Sequence, residues 1–559
     1  MTASRGRLIF IITTLVFLTL LVMVQLVRYQ IVQHQPAGGG LLAPIAPEPA
    51  PRGWIYDRNG YVLAANEPRH AVLIDKTSAD LEEPARDLPP MIGLTPEEYW
   101  KLVNTKDLVE VPLARDLPTE VIQRIRDKEY RGVITRAYWK RTYPEGALAA
   151  HVLGFVNEEQ TGFYGLEGQY NELLNGATIT TTDVPQVRPG ADLVLTLDRT
   201  AQAIAEEELA RGLADTGAES GTIIVMQPKT GEILALAVAP GFDPNKYLEL
   251  VDSEPKRFID QAVSDQYEPG STFKIFTLAA ALDLGLVTPQ TTYNDTAYIE
   301  IGGQLIFNWD RAAHGTVDMV EMMARSLNVG AATLAMQMGQ QNFYRYLRAF
   351  GIGKRTGIDL QAEAAGELRT RDDNPGTVDG RPGWSEGDLG TNAFGQGVST
   401  TPIQMITAVA AVANDGVMVQ PHLVKQIVGP DRTIEAKVVP IGRPITPQTA
   451  RTLTDVLVQV VDREVAFAQV AGYRIAGKTG TAQIPVPGGY DEKYTIASFI
   501  GYGPADDPQL IILVKLDKPT SSPWGSETAA PVFQRVASRL FALLDIKPDN
   551  VQLAINTEQ

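Results

Sequence analysis

Apolar segments with strand character occur at two distant places in this chain. Two come early, Gly221–Met226 and Glu232–Ala239, around the turn Gln227-Pro228-Lys229-Thr230-Gly231. Three come late, Tyr473–Ile484, Thr495–Gly503 and Gln509–Lys515. Hairpin links this short join antiparallel strands, because a parallel pair needs a long crossover. The pattern predicts one antiparallel sheet of about five strands, built from both ends of a single unit. The sequence between the two groups has helical spacing at Thr272–Leu284, Asp318–Arg325, Val329–Met338, Asn342–Phe350 and Pro402–Asn414. It predicts a helical subdomain inserted into the sheet, with flanking helices at Ala201–Leu213 and from Ala529 to Leu544 covering the faces. The expected class is a mixed α/β (α+β) fold that begins near Asp192–Asp198. Residues 366–392 are rich in Gly, Asp, Pro and Thr and read as a long loop of the kind found at the mouth of a site.

The chain has 559 residues, more than one core needs. A net charge of −17 argues against a general nucleic-acid partner, which requires basic surface. There are no cysteines, which removes disulfides and thiolate chemistry. At the N-terminus, Arg5 and Arg7 precede Leu8–Val27, a run broken only by Thr13, Thr14, Thr19 and Gln25. Such a helix spans roughly 30 Å of hydrocarbon. Arg28-Tyr29-Gln30 follows where a signal peptide would carry small residues. The expectation is an uncleaved anchor with its short basic end inside and the rest of the chain outside; the alternative is a cleaved signal peptide. Glycine and then proline dominate the segment that follows and make it a linker. The expected layout is a cytoplasmic end at 1–7, an anchor at 8–28, a linker at 29–51, a mixed module at 52–190, the main unit at 191–546 and a tail at 547–559. The mixed module opens with Trp54-Ile55-Tyr56 and Tyr61-Val62-Leu63 around the turn Asp57–Gly60. It shows no catalytic constellation and reads as a structural or interaction part.

Chemistry concentrates elsewhere. Ser271-Thr272-Phe273-Lys274 follows Pro269-Gly270 and opens an apolar helix. Positions i and i+3 share a helix face, so a hydroxyl lies beside an amine able to take its proton. A second pair at the same spacing, Ser253 and Lys256, has Pro255 inside it and begins a charged helix, which reads as a cap. Ser326-Leu327-Asn328 falls between two helical stretches. Lys478-Thr479-Gly480-Thr481 lies within a strand, where glycine permits a close approach. Lys229-Thr230-Gly231 repeats part of that motif in a hairpin turn, where those residue types are ordinary. The five histidines, His34, His70, His151, His314 and His422, are scattered, and none adjoins Ser271. No metal-ligand spacing or phosphate-cradling loop appears, so no cofactor is implied.

The order Ser-x-x-Lys, Ser-x-Asn, Lys-Thr-Gly is far more specific than any member of it. The chain resembles the penicillin-recognising serine transpeptidases, and among them the class B penicillin-binding proteins. Arg52-Gly53-Trp54-Ile55-Tyr56-Asp57-Arg58-Asn59-Gly60 is similar to that class's N-terminal motif, and Gly165-Leu166-Glu167-Gly168-Gln169-Tyr170 to its second pedestal motif. Gly395-Gln396-Gly397 with Thr401-Pro402-Ile403-Gln404, and Pro523-Trp524-Gly525 with Ala529-Ala530-Pro531-Val532-Phe533, resemble later family segments. The resemblance implies an elongated pedestal, a single transmembrane helix and two-step acyl transfer on the D-alanyl-D-alanine end of a peptidoglycan stem peptide. Ser271 would be the nucleophile, Lys274 its base and Ser326 a proton relay. Asn328 would hold the substrate amide, and Lys478, Thr479, Gly480 and Thr481 the carboxylate strand. Lys274 must be neutral, which requires burial and a neighbouring cation such as Lys478. The implied partners are stem peptides, β-lactam antibiotics and a membrane glycosyltransferase. A β-lactam hydrolase or sensor, or a catalytically silent scaffold, remains the competing reading. Substituting Ser271→Ala is expected to abolish covalent labelling by penicillin, while Ser253→Ala and Lys229→Ala leave it intact; a gel of labelled protein checks this.

Overall fold

The computed structural model describes residues 50–105, 108–179, 186–371, 377–378 and 381–549. The expected anchor and nearly all of the linker lie outside the described residues. Among the described residues, no helix is long and apolar enough to cross a membrane.

The N-terminal part is a twisted sheet. β1 (Ile55–Tyr56) turns back into the long β2 (Val62–Asp75), which pairs on its two sides with β3 (Glu110–Leu117) and β4 (Val133–Thr142). The expected turn at Asp57–Gly60 is held by the buried Asp57 carboxylate, whose Oδ1 accepts from Asn59 N at 2.8 Å and from Tyr61 N at 2.9 Å. Behind this turn the two motifs expected of a pedestal meet. Glu167 is fully buried and takes both Arg52 Nε at 2.7 Å and Arg141 Nε at 2.6 Å. Arg52 also reaches Asn171 and Asn175, and Arg141 reaches the Gly53 carbonyl at 2.7 Å. Two guanidiniums on one carboxylate survive burial because most of their remaining donors find neutral acceptors: Arg52 Nη1 and Nη2 both do, as does Arg141 Nη1, while Arg141 Nη2 is buried without one.

The strand expected to open the main unit does something else. β5 (Asp192–Leu195) pairs in parallel with β1 and antiparallel with Val424–Val428, so it belongs to the N-terminal sheet. Leu193, Leu195 and Leu197 are all buried there, and Asp192 Oδ1 accepts from Trp54 N at 2.6 Å. Backbone hydrogen bonds therefore cross the boundary expected between residues 190 and 191.

The second sheet matches the expectation from the apolar segments. It comprises β6 (Ser220–Met226), β7 (Ile233–Ala239), β8 (Ala476–Val486), β9 (Gly489–Gly503) and β10 (Leu510–Asp517), in the order β7-β6-β10-β9-β8, antiparallel throughout. One face packs on α1 (Arg199–Thr216) and on the closing helix, Ala529–Leu543, through Leu209, Val225, Val514, Phe533 and Leu540. The other face packs on the inserted helices. α2 (Lys274–Asp283), α3 (Met319–Ala324) and α4 (Asn328–Ala349) carry the site. α4 is interrupted at Gly339, where φ is 72°, so the two expected helices are its halves. α5 (Pro402–Ala413) is buried along its whole length and starts with a Thr401/Gln404 capping box. The sequence reading missed α6 (Pro447–Glu464), although Thr446 caps it, Pro447 opens it, and Leu453, Leu457, Val460 and Val461 are buried in it. Part of the expected loop at 366–392 is helical, at Glu386–Asn392.

Removing the Glu167 carboxylate would strand two buried guanidiniums. Glu167→Ala is expected to lower stability by about 3–5 kcal/mol. Glu67→Ala, which breaks a half-exposed pair with Arg69, is expected to cost under about 1 kcal/mol. Urea titrations of the two variants measure both effects.

Candidate active site

The nucleophile turn is made by Pro269-Gly270. Gly270 takes φ 58°, and residues Gly270–Phe273 form one tight 3-10 turn before α2 begins at Lys274. Thr272 Oγ1 donates to the Pro269 carbonyl at 2.8 Å and locks the turn. Ser271 therefore precedes the α-helix instead of lying in its first turn, yet its Oγ is 3.1 Å from Lys274 Nζ.

A second turn meets it from α3. Ser326 adopts φ 58°, a left-handed conformation that a non-glycine residue keeps only when its surroundings impose it. Leu327 N donates to Met322 O at 2.9 Å, closing the turn, and α4 starts at Asn328. The turn delivers three atoms to Lys274 Nζ: the Ser326 carbonyl at 2.6 Å, Ser326 Oγ at 3.1 Å and Asn328 Oδ1 at 2.8 Å. Asn328 Nδ2 donates to the Phe307 carbonyl at 2.9 Å, which fixes the amide with its oxygen toward the lysine.

These contacts decide what the amine does. Lys274 is 0 % exposed, and burial, reinforced by the charge of Lys478, holds its pKa well below the ordinary lysine value. A neutral amine has two hydrogens and one lone pair. The two carbonyl oxygens accept only, so they take the hydrogens. The one lone pair is left to a single hydroxyl donor at a time, Ser271 or Ser326, both 3.1 Å away. A serine donating to a buried neutral amine is poised to lose its proton as it attacks.

β8 supplies the opposite wall as the edge strand of the sheet. Lys478 is 1 % exposed, with Thr479 Oγ1 at 3.3 Å, and burial pushes its pKa down to about 7. Gly480 lies against the nucleophile turn: a Cβ there would come within 2.3 Å of Ser498 Oγ, 3.0 Å of Thr272 Cγ2 and 3.1 Å of the Pro269 carbonyl. Thr479 and Thr481 alternate with it and line the cleft. Thr481 Oγ1 accepts from Gly525 N at 3.2 Å. All eight residues expected at the site thus belong to two facing walls. Between the walls runs an open cleft of about 910 Å3 lined by Ser271, Ser326, Asn328, Thr479 and Thr481.

The competing motifs fall elsewhere. Ser253 Oγ donates to the Glu249 carbonyl on the surface, and Lys229 pairs with Asp507. His314 is at the cleft rim, bonded to Asp310 and Arg325 and to none of the eight. The sequence reading missed Phe307, whose carbonyl orients Asn328, and Trp309, which meets Trp524 edge to face with ring centres 5.2 Å apart. A tryptophan within the polar run Asn308-Trp309-Asp310 was the available signal. Among the described residues, no group of three or more His, Asp or Glu side chains is arranged to hold a metal ion.

A serine facing a neutral buried amine, opposite a cationic edge strand, defines a serine acyl-transferase. Comparison with known proteins agrees. Residues 221–538 match the penicillin binding protein transpeptidase domain, and residues 47–184 match the penicillin-binding protein dimerisation domain. The chain is 34 % identical to stage V sporulation protein D of Bacillus subtilis, over 91 % of this chain and 80 % of that protein. It is 29 % identical to the probable peptidoglycan D,D-transpeptidase PenA of Neisseria meningitidis, over 98 % and 94 %. The crystal structure of penicillin binding protein 3 from Mycobacterium tuberculosis, complexed with aztreonam, superposes with a TM-score of 0.71 at 28 % identity, covering 90 % of this chain and 98 % of that one. The chain belongs to the class B penicillin-binding proteins.

Gly480→Ala is expected to push β8 off the nucleophile turn and slow labelling by a fluorescent penicillin about a hundredfold, since displacements near 1 Å cost that much. The time course of labelling measures it.

Proposed function

We propose that this chain is a peptidoglycan D,D-transpeptidase that cross-links stem peptides through an acyl-enzyme on Ser271 and is acylated at the same serine by β-lactams. The observation that carries the reading is the coordination of Lys274 Nζ, with two carbonyls taking its hydrogens and Ser271 Oγ facing its lone pair. The names of the relatives support the substrate class.

The steps follow from the geometry. The donor's terminal carboxylate is held by Lys478, Thr479 and Thr481 through charge-assisted hydrogen bonds. Ser271 Oγ attacks the penultimate D-alanyl carbonyl as its proton moves to Lys274 Nζ. The developing oxyanion is met by the backbone N–H groups of Ser271 and Thr481, each worth on the order of 3 kcal/mol. The C–N bond breaks, and the proton reaches the departing D-alanine nitrogen by way of Ser326 Oγ. An amine from a second stem peptide then attacks the ester, returns a proton by the same path and frees Ser271. Asn328 keeps one N–H and one lone pair beyond its protein contacts, enough for one donor amide. These steps use only side chains and backbone groups of this chain.

The same reading extends to the rest of the sequence. Residues 8–28 anchor the chain in the cell membrane, and the linker to residue 51 holds the catalytic part on the extracytoplasmic side, where its substrate is. The layout is then a pedestal at 52–190, a transpeptidase domain at 191–546 and a tail at 547–559. The pedestal carries no carboxylate cluster suited to glycan polymerisation, which supports a separate membrane glycosyltransferase as partner, from either the elongation or the division machinery. The charge of −17 supports no nucleic-acid role.

Two measurements test the reading. The acyl-enzyme formed with labelled penicillin is expected to outlast the assay; rapid turnover would make the protein a hydrolase. The dependence of kcat/KM on pH is expected to be bell-shaped. Lys274 must be neutral, so the rate falls as pH drops through its lowered pKa. Lys478 must be charged, so the rate also falls as pH rises past about 7. In kcat the alkaline limb is expected to move upward, because the bound carboxylate restores the charge of Lys478.

A further inference from the structure

Glu268, three residues before Ser271, is 8 % exposed and makes no ion pair among the described residues. Two neutral donors satisfy its carboxylate. Gly397 N donates to Oε1 at 2.9 Å, and Tyr490 OH lies 3.1 Å from Oε2 and 3.3 Å from Oε1. These donors come from different walls of the cleft.

Gly397 ends a segment that runs beside the nucleophile turn. Tyr267 and Thr400 exchange backbone hydrogen bonds at 2.9 Å, and Gly270 N donates to Gly395 O at 3.2 Å. Glu268 fastens the same segment between those two points. Tyr490 belongs to β9 opposite Pro485, just past the irregularity at Gln483 where β8 leaves regular pairing. The two segments meet where Gln396 Nε2 donates to Gln483 Oε1 at 3.3 Å. Gln396 and Gln483 both line the cleft; Gln396 adjoins Gly397, and Gln483 lies two residues before Pro485, which pairs with Tyr490.

The position of this contact gives it a task. Thr479, Thr481 and Gln483 share the outward face of β8 by the two-residue period of a strand. A donor whose carboxylate lies on Lys478, Thr479 and Thr481, and whose carbonyl lies on Ser271, continues past Thr481 toward Gln483. We propose that Glu268 is a positioning residue for the donor: by holding Gly397 and Tyr490 together it sets the Gln396–Gln483 contact that receives the stem-peptide residue preceding D-alanyl-D-alanine. This rests on Ser271 as nucleophile and on the strand from Lys478 to Thr481 as carboxylate site. Burial raises the pKa of Glu268 while its two donors pull it down, as expected for a carboxylate used as a buried acceptor without a cation.

Two thioester donors test it on the full chain: N-acetyl-D-alanyl-thioglycolate, and the same compound with a diacetyl-L-lysyl residue replacing the acetyl group. Both carry the carboxylate and the same leaving group, and thiol release reports turnover. Tyr490→Phe and Glu268→Ala are expected to lower kcat/KM for the long donor roughly tenfold, through KM, and to leave the short donor within about twofold. Glu268→Gln is expected to restore the long donor to within about twofold, since an amide oxygen still accepts from Gly397 and its NH2 still faces Tyr490. Equal losses on both donors, no loss on the long one, or failure of glutamine to rescue would each overturn the proposal. Tyr490→Phe removes a single hydroxyl from a partly exposed hairpin, so it serves as the readout if Glu268→Ala does not fold. Ser271→Ala in the same assay must abolish turnover of both donors. Turnover that survives it refutes the nucleophile assignment, whatever the Glu268 variants do.

Discussion

The site depends on an amine kept out of water without a counter-charge. Among the described residues three lysines are almost wholly buried: Lys274, Lys478 and Lys515. Lys515, on β10, has Asp517 against it and Asp265 at 3.5 Å, so its ammonium is an ordinary buried ion pair. Among the described residues, the hydrogen-bond partners of Lys274 and Lys478 are hydroxyl and carbonyl oxygens, with no carboxylate among them. A buried ammonium without an anion is costly, whereas a buried neutral amine is not. Burial therefore lowers the proton affinity of Lys274, and that same lowering suits it to act as a base. Lys478 pushes in the same direction and is itself left in want of an anion. A carboxylate-bearing donor brings a negative charge to that lysine.

Keeping the amine dry requires two walls of different origin to pack closely behind the cleft, around Gly270 and Gly480. One is a pair of tight turns at the starts of α2 and α4; the other is the exposed edge of the sheet. The closest approaches are made where side chains are absent. Gly480 lies under the nucleophile turn, and Gly395 is so near Gly270 that a Cβ would come within 2.4 Å of its carbonyl. Ser326 adopts a left-handed backbone that favours glycine, and it retains a hydroxyl there. The cost is of order 1 kcal/mol and is consistent with a side chain the site uses.

Much of this was legible in the sequence because it is written locally. Strands of the second sheet appear as apolar runs bounded by turn residues, and the five-stranded antiparallel arrangement follows from hairpins too short for any crossover. The spacing from Ser271 to Lys274 and the helix boundaries around Ser326 are equally local. What was missed is long-range. Nothing within Asp192–Leu195 says that it will pair with Ile55–Tyr56 and with Val424–Val428, because pairing choice depends on which edges are free in three dimensions. Nor does Asn328 announce that its oxygen will orient a lysine; that follows only once Phe307 claims its nitrogen. The helix at Pro447–Glu464, by contrast, is legible locally, in its Thr446 cap, its Pro447 start and the helical spacing of its buried residues.

The unanticipated pairing changes how the two sheets relate. Asp57, at the first turn of the N-terminal sheet, accepts from Arg199 N at 3.1 Å, and Asn59 Nδ2 donates to Asp198 Oδ2 at 2.9 Å. Asp198 is at the same time the cap of α1, accepting from Thr200 N and Ala201 N. Arg58 reaches Glu232 at the start of β7, with a nitrogen–oxygen distance of 3.2 Å. The turn that begins the N-terminal sheet thus closes the end of the helix covering the catalytic sheet. Thr196 Oγ1 adds a link, donating to the Ile233 carbonyl at 2.8 Å, one residue beyond β5. Displacing the N-terminal sheet would uncap α1 and strip partners from buried carboxylates such as Asp57, which costs far more than bending a linker. The N-terminal sheet is thus joined to the back of the catalytic sheet by helix capping and side-chain hydrogen bonds at α1 and β7.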